Sequence, residues 1–288
     1  MDTIKDGLII INKPKGYTSH DIVNIVRKKL NIKKAGHTGT LDPNATGVLP
    51  ILIGTATKIS KYLIEHKKKY IATIILGKKT DTGDSEGNVI QEDIDFKGTN
   101  IKEIKNIFKS FLGRQKQIQP MYSAIKVHGK KLYEYAREGR SVQIEPREIE
   151  IYSIDLIKYD NKNEIIFEVE CSKGTYIRTL CEDIAKNLNT IGYMKELKRT
   201  KVDKFSIEKS ISLDELNNAN IEEKLISIEE IFEDNLKIDL NDRKLQFFLN
   251  GVQLTFDLEE GVYRIYNNKK FIGLGIVKNK LLKRDVVI

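Results

Sequence analysis

From Gly36 to Lys58 the chain reads GHTGTLDPNATGVLPILIGTATK, and its opening residues string a histidine, a hydroxyl pair, an aspartate and a proline on glycines. A carboxylate such as Asp42 can act covalently as a nucleophile or steady a developing positive charge. Gly36, Gly39 and Gly47 let the backbone turn tightly and approach a ligand. The apolar run at 48–53 follows directly, so His37 and Asp42 sit on an ordered loop anchored by a buried segment. An isolated Asp-Pro pair does no more than open a turn. Residue type alone leaves that bland reading of Asp42 open.

The rest of the sequence narrows the chemistry. There is no GxGxxG after a strand, no GxxxxGK[ST], no HExxH and no GxSxG. The four histidines, His20, His37, His66 and His128, are too dispersed to suggest a metal cage. Cys171 and Cys181 lie ten residues apart without a CxxC, which fits reduced thiols in a cytosolic chain. The acidic turn TDTGDSEG at 80–87 lacks the ligand register and distal Glu of an EF-hand. What remains is a loop carboxylate, a loop histidine, arginines, and tyrosines beside basic residues. That inventory suits an enzyme handling a nucleic-acid base with no cofactor and no metal.

Several elements must position these groups. An apolar strand at 8–11 is broken by NKPKG, and Thr18 with Asp21 makes a capping box for a helix carrying Ile22, Val26 and Leu30 on one face. Residues 68–77 read as a strand, and Ile104, Ile107, Phe108 and Phe111 as an amphipathic helix ending at Gly113. Gln119 begins a basic, tyrosine-rich stretch running to Gly139, expected to be an extended arm with a short helix. Residues 149–159 and 164–171 alternate as strands. After Gly174 a helix bears Ile177, Leu180, Ile184 and Leu188 on its core face, which leaves Arg178 off-centre as a surface charge. By the same reasoning Tyr70 is an ordinary strand aromatic, and Tyr176 and Leu197 are core packing.

At 288 residues with 40% hydrophobic and 31% charged content, the chain has the composition of a globular protein. No run of eighteen apolar residues and no secretory signal stands out, so no membrane association is expected. Nine carboxylates against two lysines mark 208–234 as a solvated acidic helical region. From about Lys237 short strands alternate with turn residues, and ten Lys/Arg stand against six Asp/Glu. The net charge of +8 is thus segregated, as a polyanion partner on one face would require.

The string from Gly36 to Lys58 resembles the active-site motif of the TruB family of bacterial tRNA pseudouridine-55 synthases. The resemblance continues through KPKGYTSHDIV, YIATIILGKKTDTGDSEG, QPMYSAIKVHGKKLYEYAREG, CSKGTYIRTLCEDI and MKELKRTKVDKF, in the family's order over most of the first 205 residues. It implies a mixed α/β (α+β) catalytic domain around a mainly antiparallel sheet at 1–236, with an RNA-gripping arm at about 117–143. A small all-β, PUA-like RNA-binding domain would follow at 237–288.

It further implies isomerisation of one uridine in the TΨC loop of tRNA, by a cytoplasmic chain acting as a monomer without cofactor or metal. Asp42 would be the catalytic residue and Arg178 its partner. Tyr70 would stack on the uracil, Tyr176 and Leu197 would line the base pocket, and His37 would fill the gap left by the flipped base. Lys126, Lys130 and Lys131, with Tyr122, Tyr133 and Tyr135, would form the arm. The alternatives are an RNA-binding or tRNA-folding protein with secondary catalysis, and a synthase acting on another RNA. Because basic clusters displace phosphate counterions, RNA affinity is expected to fall linearly with log salt concentration. An affinity that stays flat between low and high salt would refute the basic-groove picture.

Overall fold

The computed structural model describes residues 6–64, 66–123, 125–140, 142–217 and 221–288. One large sheet organises residues before 230, in the strand order Ile226–Ser227, Gly7–Lys13, Thr46–Ile53, Gly192–Val202, Lys68–Leu76, Glu164–Cys171, Arg147–Tyr159, Gly113–Gln117. Neighbours along this path are antiparallel except at one junction. There Lys198 and Arg199 pair in parallel with Thr46 and Gly47.

Alternation decides which face each strand buries. Ile165, Phe167, Val169 and Cys171 point every second residue into a core closed by the helices Ile101–Ser110 and Ile177–Asn187. The strand Thr46–Ile53 is buried nearly throughout, because both of its faces are covered. Leu49, Ile51 and Ile53 meet Ile22, Val26 and Leu30 of the helix Ser19–Lys29, while Val48 and Leu52 face the opposite cluster. The expected capping box is present: Asp21 N donates to Thr18 Oγ1 at 3.1 Å and Thr18 N to the Asp21 carboxylate at 2.8 Å.

Three expectations need correction or completion. The acidic stretch 208–234 is helical only in single turns. Its described part carries the 3-10 turn Ile207–Lys209 and the short α-helices Ile221–Lys224 and Ile228–Ile231, which tuck Ile221, Ile228 and Ile231 inward and leave the carboxylates in water. The C-terminal sheet, ordered Lys237–Asp239, Gly261–Asn267, Lys270–Lys278, Leu281–Val287, Leu254–Thr255, is accompanied by one helix, Asp242–Leu249, capped by Asn241. Arg178 is buried rather than a surface charge, since the TDTGD turn and the root of the arm close over that helix face. The arm has the expected form, a two-stranded ribbon Lys126–Val127 and Lys130–Lys131 followed by the helix Leu132–Arg137; its positions 124 and 141 lie outside the described residues.

The C-terminal sheet docks on the segment that follows the Thr46–Ile53 strand. Leu274 and Val286 join Ala56, Ile59 and Phe232 in one apolar cluster. The Tyr62 hydroxyl donates to Asp285 at 2.6 Å, and Lys61 pairs with the same carboxylate. Among the described residues no helix is long and apolar enough to cross a membrane.

Gly47 makes the parallel junction possible. Its φ of +101° lies in the region L residues avoid, and a Cβ there would sit 2.2 Å from the Arg199 carbonyl oxygen. Gly47→Ala is therefore expected to cost roughly 2–5 kcal/mol, from the unfavourable backbone and the clash together. Urea unfolding checks this, and a loss under about 1 kcal/mol would show that the junction can relax.

Candidate active site

Between the short strand Ala35–His37, which pairs with Thr46–Ile53, and that strand itself, residues 38–45 have no regular structure, so side chains from elsewhere hold them. Lys13, at the end of the first strand, is wholly buried. Its Nζ donates to the carbonyls of Pro14 (2.9 Å), Tyr17 (2.7 Å) and Pro43 (3.0 Å), tying two loops together. Gly16 N adds a bond to the Pro43 carbonyl at 2.9 Å. Ser19, in the first turn of its helix, receives Leu41 N at 2.8 Å and donates back to Leu41 O at 3.2 Å. Asp42 thus lies between two residues whose backbones are fixed.

Arg199 holds the same loop from the other side. It is 1% exposed, and its guanidinium donates to the carbonyls of Val48 (Nε, 2.8 Å), Thr40 (Nη1, 3.3 Å) and Gly39 (Nη2, 3.2 Å). Three aligned carbonyls compensate a charge that would otherwise be costly to bury.

The Asp42 carboxylate is left 39% exposed and is met by a third cation. Arg178 Nε lies 3.1 Å from Asp42 Oδ2 and 3.7 Å from Asp84 Oδ2, with its own side chain 5% exposed. Its Nη1 donates to Thr82 O at 3.2 Å and its Nη2 to Tyr122 O at 2.8 Å. One guanidinium therefore joins the Asp42 loop, the TDTGD turn and the root of the arm. Tyr176, which caps that helix, is fixed by the Gln117 amide: Tyr176 N donates to Oε1 at 2.8 Å, and Nε2 donates to Tyr176 O at 3.1 Å.

Around this centre stand the remaining residues. Burial pushes the Tyr70 hydroxyl up to about 12, against the pull of the Arg199 guanidinium. The phenol is neutral at pH 7 and offers its ring. Burial lowers the His37 pKa, with Arg199 and His20 acting in the same direction, and its Nδ1 is buried without a partner. A neutral imidazole can enter a base stack without desolvating a charge. Burial raises the Tyr176 pKa. Leu197 packs in the same core cluster as Leu41, Ala45 and Tyr70.

Asp42, His37, Tyr70, Tyr176, Arg178 and Leu197, six residues spread over 161 positions, are thus brought to one place. Three further residues had no assigned role in the sequence: Lys13, Arg199 and Asp84. The first two leave no signal, because their partners are carbonyls, which every residue has. Asp84 could have been noticed as a carboxylate in the glycine turn TDTGD, but nothing there points to Arg178.

The fold is shared with solved structures. The chain superposes on a protein chain in an H/ACA RNP bound to a substrate RNA containing 2′-deoxyuridine, with a TM-score of 0.69, covering 97% of this chain and 83% of that one at 24% identity. The family model for the N-terminal domain of TruB family pseudouridylate synthases matches residues 27–177, and that for the tRNA pseudouridylate synthase B C-terminal domain matches 178–236. A protein of Alkaliphilus oremlandii named tRNA pseudouridine synthase B is 44% identical over 96% of this chain and 94% of its own. A protein of the same name from Clostridium perfringens is 45% identical over 98% and 99%. The chain belongs to the TruB family of pseudouridylate synthases.

Lys13 gives the site a measurable pH signature. Burial pulls its pKa from 10.5 down to about 8, with the Asp42 carboxylate pulling the other way. Between those values the unfolded chain holds a proton that the folded chain has released, so stability rises with pH across the window. Lys13→Met removes this contribution. The wild-type advantage over the variant in unfolding free energy should therefore grow from pH 8 to pH 10. A flat or shrinking difference would show that the ammonium keeps its proton.

Proposed function

We propose that this chain isomerises uridine 55 in the TΨC loop of tRNA to pseudouridine, with Asp42 as the catalytic nucleophile after the base is flipped out. The observation that carries the reading is the position of Asp42. It is the accessible carboxylate of a loop otherwise locked by buried cations, paired through one oxygen with a buried arginine. The reaction breaks the bond from ribose C1′ to N1, turns the uracil, and joins C5 to C1′. No atom is gained in the net exchange except that the C5 hydrogen leaves as a proton and N1 takes one up. A carboxylate oriented by a buried guanidinium can supply the electron pair this needs.

Each surrounding residue has a physical part. Arg178 orients Asp42. Tyr70, neutral under working conditions, stacks its ring on the uracil, and Tyr176 and Leu197 close the apolar walls. His37 offsets the few kcal/mol of stacking lost when the base leaves the loop. The arm supplies the grip on the RNA. Lys130 and Arg140 lie 5.0 and 5.4 Å from the centre of the Tyr135 ring, and Lys131 and Arg137 each 5.3 Å from that of Tyr133. Rings and cations interleaved in this way suit an RNA loop. A monomer working in the cytoplasm, with residues 237–288 as a second RNA-binding unit, completes the reading.

With C5-tritiated uridine in an unmodified tRNA transcript, the wild-type chain should release tritium. Asp42→Asn should lose at least about a thousandfold in rate while binding the RNA nearly as well. Asp84→Asn, which loosens Arg178 without removing the nucleophile, should fall in between. Turnover by Asp42→Asn at the wild-type rate would end the assignment.

A further inference from the structure

Tyr17 gives its carbonyl to Lys13 and is itself exposed. It is a large aromatic, 43% exposed, on the loop between the first strand and the helix Ser19–Lys29. That loop is locked to the Asp42 loop at two points. Lys13 Nζ donates to both the Tyr17 and the Pro43 carbonyls, and the preceding residue, Gly16, donates its N–H to Pro43 O. Tyr17 is thus anchored one residue from a direct contact with the neighbour of Asp42. His20, also exposed, is close enough to His37 to lower its pKa, so the same stretch reaches the histidine side of the site.

A local role in folding does not explain the ring. Tyr17 occupies the position before the helix cap, where an apolar side chain can staple onto the fourth helical residue. That residue, Ile22, is fully buried among other side chains, while Tyr17 stays open to solvent. Exposing an aromatic on an immobilised backbone loses little conformational entropy on binding, and every nucleobase offers a face to stack on.

We infer that Tyr17 is a stacking platform for an unpaired base of the RNA loop beside the flipped nucleotide. The inference rests on the RNA reading of the site. Its contribution comes from ring overlap, so it is independent of salt, unlike the contribution of the lysines.

Tyr17→Leu keeps an apolar residue before the cap and removes the ring. The full-length variant should keep the wild-type melting temperature and bind an unmodified TΨC stem-loop roughly 5- to 150-fold more weakly. The salt slope of binding should be unchanged. The sequence contains no tryptophan, so Tyr17→Trp introduces a single reporter. Its fluorescence should be quenched by the stem-loop and become shielded from acrylamide. If Tyr17→Leu binds as the wild type does, or if affinity and melting temperature fall together, the inference is wrong. An unquenched Trp in a variant that still binds would also overturn it. If the wild-type chain itself fails to bind the stem-loop, the functional reading falls first, and the two failures are told apart.

Discussion

Two buried cations whose partners are backbone carbonyls carry the Asp42 loop. Lys13 takes the carbonyls of Pro14, Tyr17 and Pro43, and Arg199 those of Gly39, Thr40 and Val48. Had they been neutralised by carboxylates, the loop's own aspartate would have been the nearest candidate and would have been consumed. Using dipoles instead satisfies the buried charges and leaves Asp42 facing outward. The loop gains rigidity without spending its own carboxylate.

The consequence is a division of labour among three basic residues. Lys13 and Arg199 fix where the carboxylate is, and Arg178 fixes which way it points. Arg178 comes from a different element and shares itself with Asp84, so it is oriented by a second anion rather than by Asp42 alone. It also donates to Tyr122 at the base of the arm. The arm and the part of the chain that holds the carboxylate therefore share one rigid planar group, whose fork geometry tolerates little rotation.

Much of this was legible in the sequence wherever the signal is periodic or local. Ile22, Val26 and Leu30 announced a buried helix face, and Thr18 with Asp21 announced its start. Residues 164–171 announced a half-buried strand by alternation. Arg178 was misplaced because helical spacing gives the centre of the core stripe but not how far neighbouring turns wrap over its edge. Lys13 and Arg199 were invisible in principle, since a cation bound to carbonyls needs no complementary residue type. The acidic stretch misled in the opposite way. Its charge density suggested a solvated helical region, whereas seven buried apolar residues, Ile211, Leu213, Leu216, Ile221, Ile228, Ile231 and Phe232, pin it to the core as short helical turns. The family resemblance, carried by whole motifs, gathered the six site residues that their individual chemistry could not.

The bonds from Arg199 to Val48, Thr40 and Gly39 span 151, 159 and 160 residues of sequence. On a ribosome, the Asp42 loop emerges early and waits for more than half of the chain before its clamp exists. Such long-range closure is slow to form because loop entropy is lost before the contact rewards it. A half-made chain therefore carries Asp42 on a loop that lacks its clamp, while Arg178 and Arg199 arrive later, on the helix Ile177–Asn187 and the strand Gly192–Val202. Ordering of the Asp42 loop thereby becomes a late event of folding, set by the arrival of residues far along the chain.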